Sequence, residues 1–273
     1  MKRPRQAQGL TAKTLSTSTK LDLGGRWPQF GRGPLLDGHL VLDGPVSVPP
    51  LCEVMSWGYD AIAQTSGDVK VEMGAQLYRS VLQGEMARLA FFTGANRLPK
   101  FLSEPPGYAA FHIEAVTKLK ENEFAGLEKL LDESTGARKS LKGHNDGNPF
   151  ENFRDGDDLL GPFLEVFFQS DYLWLPFEQI KRLEIQPPRT LRDLLWIPAR
   201  VELFDKPLGE VFVPVQYYGS SQHPDDLVKL GRMTDWKTVG EGTLLGAGQR
   251  TFIADETECP LLEIRKIDFE TSS

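Results

Sequence analysis

Cysteine is nearly missing: Cys52 and Cys259 are the only two in 273 residues. Two thiols so far apart make neither a disulfide framework nor a zinc quartet, and they suit a reducing compartment. Histidine is scarce as well. His39, His112, His144 and His223 lie in different segments, and no two stand four residues apart as a helical metal pair does. No apolar run approaches the roughly 18 residues of a membrane span. The basic N-terminus has no apolar core of a secretory signal. Basic charge is also short, with 31 Lys+Arg against 38 Asp+Glu and a net charge of −7. Residues 1–50 hold seven bases and three acids, so the body alone carries the acidic excess. An acidic body is a poor electrostatic match to a phosphate backbone, which argues against a nucleic-acid partner.

What is present falls into parts. Residues 1–50 contain six prolines and seven glycines and keep no period for long. They read as a disordered tail, with a short strand expected near Leu40-Val41-Leu42 between Gly38 and Gly44. From 51 to 141 the apolar period is helical. Leu51 to Ile62 reads as a first helix. Leu77, Val81, Leu82, Met86, Leu89 and Phe92 then mark one face of a second, with Gly94 and Pro99 at its exit. Pro105 and Pro106 are expected in the first turn of a third helix, whose stripe is Tyr108, Phe111, Ala115, Val116 and Leu119. Phe124, Leu127, Leu130 and Leu131 mark a fourth. Residues 142–158 are polar and read as a linker loop. Residues 159–273 read as a β-rich domain. Its strands are expected around Phe163–Phe168, Tyr172–Leu175, Val201–Phe204, Val211–Val213, Thr251–Ile253 and Leu261–Ile264, with one or two helical turns from Phe177 to Leu183. The expected class is α+β: helical hairpins followed by a small, mainly antiparallel β domain.

No catalytic constellation is specific. His144-Asn145-Asp146 is explained better by a turn than by a metal. Asp157-Asp158 and Asp225-Asp226 read as solvated acids or helix caps. Gly240-x-Gly242 and Gly246-x-Gly248 lack the strand, long helix and Lys-Ser/Thr ending of a phosphate loop, and read as turns. What is distinctive is the pairing of Trp with charge or proline in the C-terminal part. Trp174-Leu175-Pro176-Phe177, Arg192-Asp193 with Trp196, and Arg232 with Asp235-Trp236 are candidates for partner contact or for fixing loops, as is Asp157.

These segments carry a resemblance. Leu160-Gly161-Pro162-Phe163-Leu164-Glu165-Val166, Tyr172 to Phe177, Leu191 to Ala199, Val213 to Ser220, Leu230 to Trp236, Gly248-Gln249-Arg250 and Cys259 to Arg265 resemble the ImpE family, also called TagJ. Gln76-Leu77-Tyr78-Arg79, Arg88, Phe92, Gly94 and Leu102-x-Glu104-Pro105 resemble its tetratricopeptide-like helical region. The likeness begins near Leu51-Cys52, and Leu159 stands where the family often has Arg. The resemblance implies a cytoplasmic, non-enzymatic adaptor of the bacterial type VI secretion system. It implies binding to the small subunit of the contractile sheath and an influence on its handling by the ClpV ATPase. No cofactor, metal or catalytic residue is implied. Residues 1–50 stand where further repeat helices are expected, and an altered reading frame upstream of Leu51 is one reading of that break. A second function stays open: an enzyme or small-molecule binder using the acidic loops and Trp-rich strands. It requires Asp157, Arg192, Asp193, Arg232 and Asp235 to converge on a pocket. A third is a chain that folds only after about Lys142.

Overall fold

The structure is a computed structural model; it describes Leu35–Leu36, His39–Leu40, residues 51–95 and residues 97–271, with side chains from residue 58 onward. The chain divides into two units, Met1–Val48 and Pro49–Ser273. In the first, β1 (Leu35–Leu36) pairs antiparallel with β2 (His39–Leu40). Val41, Leu42, the expected tail and the proposed frame break lie outside the described residues.

The second unit opens with four helices, α1 (Leu51–Thr65), α2 (Val69–Thr93), α3 (Ala109–Lys120) and α4 (Phe124–Ala137). The Asp68 carboxylate accepts the Lys70 N–H at 2.8 Å and caps α2 at its start. Gly94 ends it at φ 92°, a left-handed conformation that costs glycine nothing. Two expectations need correction. The buried face of α2 is Ala75, Val81, Leu82, Gly84, Ala87, Arg88 and Phe91, while Leu77 stays 48% exposed. Pro105 and Pro106 precede α3 instead of forming its first turn, because the turn at Gly107-Tyr108 intervenes and the Ala109 N–H bonds back to the Pro106 carbonyl.

The strands are β3 (Gly143–Asn145), β4 (Asn148–Phe150), β5 (Phe153–Asp155), β6 (Phe163–Phe168), β7 (Asp171–Pro176), β8 (Ile180–Ile185), β9 (Trp196–Leu203) and β10 (Pro207–Pro214). After the short α5 (Asp226–Lys229) come β11 (Thr234–Val239), β12 (Thr243–Gly248), β13 (Thr251–Ala254), β14 (Thr257–Pro260) and β15 (Lys266–Phe269). Eight of them form one sheet in the order β4-β3-β15-β8-β9-β10-β6-β7; β11-β12 and β14-β13-β5 form two smaller ones. All strand pairs are antiparallel, and the fold is α+β.

Here too the structure departs from the reading. The polar stretch 142–158 holds three short strands. Phe177–Gln179 is a single 3-10 turn that gives way at once to β8. The hairpin partner of β13 is Thr257–Pro260, and residues 261–263 are a turn. Gly246 and Gly248 lie in β12, not in a turn.

β6 and β7 explain the packing. Both are buried on two faces, which is why their sequences read as near-continuous apolar runs. Leu164, Val166, Leu173 and Leu175 join the core between the sheets. Phe163, Phe167, Tyr172 and Trp174 point the other way and share a core with Val81, Leu82, Phe91, Ala115 and Leu127 of the helices. Alternation puts Glu165 on that second face as well.

Candidate functional site

Glu165 enters the helix-facing core as a carboxylate with no exposure, so its charge needs partners. Arg88 of α2 supplies one: its Nε is 2.9 Å from Glu165 Oε1 and its Nη2 3.1 Å from Oε2, a two-pronged pair. Arg250, between β12 and β13, also pairs with Glu165 Oε2, and with Asp155 at the end of β5. The Tyr172 hydroxyl donates to Glu165, and the Trp174 indole N–H donates to that hydroxyl at 2.6 Å. The Tyr217 hydroxyl donates to Asp155 at 2.8 Å and itself accepts the Thr251 N–H at 3.0 Å. Remaining guanidinium hydrogens reach the carbonyls of Gln216 and Pro214. With Glu85, 3.3 Å from Arg88 Nη1, two cations and three carboxylates thus close into one network spanning α2, β5, β6, β7 and the β12–β13 junction.

The environment sets each charge. Burial alone would raise the Glu165 pKa, but Arg88 and Arg250 outweigh it and hold it at about 2. At Asp155 burial prevails over Arg250 and the pKa is raised. Asp157 is buried without a cation; burial, then the Asp155 charge, raise it to about 7. Its oxygens instead accept the backbone N–H groups of Leu159 and Gly246, at 2.9 and 2.8 Å. It ties the β5–β6 connection to β12, and so is not the solvated acid that its neighbour suggested.

Of the other candidate residues, Trp174, Trp196 and Trp236 belong to the helix-facing core, and Phe177 to the core between the sheets. Trp174 is fully buried, stacked on Phe163 at 5.0 Å. Phe177 is buried against Phe153, Phe252 and Phe269. Trp196 is buried and donates to Glu85 at 3.1 Å. Asp193 closes a capping box with Thr190, and Arg192 stands 3.9 Å over the Tyr78 ring. Asp235 meets His223 at 3.0 Å, and Trp236 packs half-buried on Tyr217. Arg232 is exposed, its N–H bonded to the Leu227 carbonyl. Clefts of about 250, 840 and 380 Å³ open on this unit, and none of the three is lined by Asp157, Arg192, Asp193, Arg232 or Asp235. The convergence that an enzymatic reading requires does not occur there.

Arg88, Glu165, Tyr217 and Arg250 stand within the blocks that carry the family resemblance, yet they were not candidates. Two sequence signals mark two of them: Glu165 inside the apolar run Phe163–Phe168, and Arg88 seven residues after Val81, on the buried side of α2. His112 is buried and doubly satisfied, with Nδ1 2.7 Å from the Leu159 carbonyl and Nε2 2.6 Å from the Ser134 hydroxyl. Among the described residues no group of three His, Cys, Asp or Glu could hold a metal. No described helix is long and apolar enough to cross a membrane.

The surface has its own asymmetry. Val69, Met73 and Leu77 recur every four residues on α2 and are 66%, 65% and 48% exposed, with Ile62 of α1 at 45%. Four-residue spacing places the first three on one helix face. Arg192 over Tyr78 brings the segment bearing the exposed Leu191 beside the same helix.

Comparison with known proteins agrees with this architecture. The crystal structure of protein VPA1032 from Vibrio parahaemolyticus superposes with a TM-score of 0.68 at 23% identity, covering 80% of this chain and 84% of that one, so the fold is shared. The ImpE protein family model matches residues 147–268. The type VI secretion system accessory component TagJ of Pseudomonas aeruginosa is 32% identical over 195 residues, 71% of this chain and 68% of that protein. With that identity carried across two thirds of the relative, this chain belongs to the ImpE/TagJ family.

Proposed function

We propose that the protein is a non-enzymatic, cytoplasmic adaptor of a type VI secretion system, which binds the small contractile-sheath subunit and modulates its handling by the ClpV ATPase. The observation that carries this reading is the match to Pseudomonas aeruginosa TagJ, itself named as an accessory component of that system. Three further features support it. Asp157, Arg192, Asp193, Arg232 and Asp235 line none of the three clefts. The helix pairs α1–α2 and α3–α4 are read as tetratricopeptide-like, an architecture whose faces accept amphipathic helices. The exposed Val69, Met73 and Leu77 stripe is the apolar surface such a helix would cover.

A pull-down of the purified sheath subunit on the full chain tests the proposal. The folded protein is expected to retain the subunit, and to lose it when the subunit's N-terminal helix is removed. Met73→Glu with Leu77→Glu is expected to weaken retention about tenfold or more, as loss of central apolar anchors does. A folded sample that retains none of the subunit would overturn the reading.

A further inference from the structure

β11 has a strand on one side only, β12. Their register sets Thr234, Trp236 and Thr238 opposite Gly248, Gly246 and Leu244. Those three β12 residues turn their amides away from β11: the N–H groups of Leu244, Gly246 and Gly248 go to Asp158, Asp157 and the Ser220 hydroxyl. In an antiparallel ladder, residues directly opposite each other either exchange both hydrogen bonds or exchange none. The backbone groups of Thr234, Trp236 and Thr238 therefore point to the outer edge of the hairpin. Two contacts agree with that phase. The Gln249 N–H bonds to the Met233 carbonyl just beyond the Thr234–Gly248 pair, and the Trp236 N–H is taken by the Asp235 carboxylate at 3.0 Å. Among the described residues no group takes the N–H of Thr234 or Thr238. Asp235, Lys237 and Thr238 are exposed. The Asp235 side chain keeps 57% exposure beside its His223 partner, and Lys237 enters no ion pair among the described residues. An open edge of this kind is a template for one more strand.

The order of side chains along the edge selects the strand. Thr234-Asp235-Trp236-Lys237-Thr238 is complementary to itself when laid antiparallel about Trp236. That register sets Asp235 of each copy against Lys237 of the other, and Thr234 against Thr238, pairs that stabilise neighbouring strands. Its hydrogen-bonded pairs fall on residues 234, 236 and 238, the three whose backbone faces outward. Moving the centre by one residue sets Asp235 against Asp235 or Lys237 against Lys237, which is unfavourable. We propose that β11 pairs antiparallel with β11 of a second copy of this chain, centred on Trp236, so that two hairpins join into one four-stranded sheet. The Trp236 N–H then exchanges the Asp235 carboxylate for the carbonyl of Trp236 in the second copy, and the carboxylate turns to Lys237 of that copy. The interface rests on β11 alone and is independent of the adaptor reading.

Sedimentation equilibrium of the full chain over a range of concentrations reads the association. The unaltered chain is expected to dimerise. Lys237→Asp and Asp235→Lys, each shown to be folded by far-ultraviolet dichroism, are expected to dimerise about tenfold more weakly or less still, because each sets like charges opposite one another twice. Mixed in equal amounts, the two variants are expected to recover the original affinity as a heterodimer, since a strand with two acids then faces a strand with two bases. Hydrogen exchange followed by nuclear magnetic resonance reads the edge itself: the amides of Thr234, Trp236 and Thr238 are expected to slow as concentration rises. Four results would overturn the proposal: a monomer at every concentration, a dimer whose affinity the reversals leave unchanged, reversed variants that stay apart when mixed, or a dimer in which those three amides exchange as fast as in the monomer.

Discussion

Arg250 is the residue on which the interior depends most. It has no exposed side-chain surface and answers two carboxylates, Asp155 and Glu165. Removing one partner of a buried ionic network leaves charge uncompensated, which costs roughly 3–5 kcal/mol. Arg250→Met is therefore expected to lower unfolding stability by about that amount in a urea titration. A loss below about 1 kcal/mol would mean that the acids find other partners. Two other residues set opposite pH dependences. Burial lowers His112 from 6.5 to about 4, so between those values the unfolded chain binds a proton that the folded one refuses. Its contribution is complete above pH 6.5 and is lost as pH falls toward 4. Asp157 behaves in reverse. Its folded pKa of about 7 lies above the ordinary 3.8, so its contribution is largest at low pH and is lost as pH rises toward 7. Relative to wild type, Asp157→Asn is expected to gain stability steadily between about pH 4 and 7, measured by denaturant titrations at each pH; a flat difference would place the carboxyl in water.

At the scale of elements, α2 connects the helices to the sheet, and it does so through a close approach. A Cβ on Gly84 would stand 2.7 Å from the Phe167 ring of β6. Gly84→Ala improves helix propensity, yet it is expected to destabilise by about 1–3 kcal/mol through overpacking, readable as a lower thermal midpoint. Asp68→Ala removes the α2 cap and is expected to cost about 1 kcal/mol. Much of the element pattern was legible. The four helices, the β6–β7 and β9–β10 hairpins and the Gly94 exit all follow from period and turn chemistry. The strands at 143–155 were not, because they are short and are recruited by distant backbone pairing, β3 with β15, β4 with β3 and β5 with β13. The face of α2 was misread for a related reason. The period identifies a helix, but the partner surface decides which side is buried, and β6 and β7 select Arg88 and Phe91 over Leu77.

At the scale of the molecule, residues 51–271 bury their helices on the same strands that form the sheet core. Phe163, Phe167, Tyr172 and Trp174 share their core with buried residues of α2, α3 and α4. A chain folding only after Lys142 would expose them all, together with Glu165. Limited proteolysis is accordingly expected to yield no stable fragment beginning near residue 142, and urea unfolding followed by tryptophan fluorescence and by far-ultraviolet dichroism is expected to coincide. A persistent C-terminal fragment, or separated transitions, would show that the β region stands alone.

Amino-acid order alone determined the class of this protein. The acidic body, the paucity of thiols and histidines, the change of period near residue 142 and the blocks from Leu160 to Arg265 led to α+β and to the ImpE/TagJ family. The charged interior came only with the packed chain. Arg88, Asp155, Glu165 and Arg250 are separated by as many as 162 residues, Arg88 to Arg250, and nothing local in their neighbourhoods links them. Their pairing is enforced when β6 is covered on both faces, because a carboxylate taken out of water there is stable only beside the two guanidinium groups that the fold delivers to it.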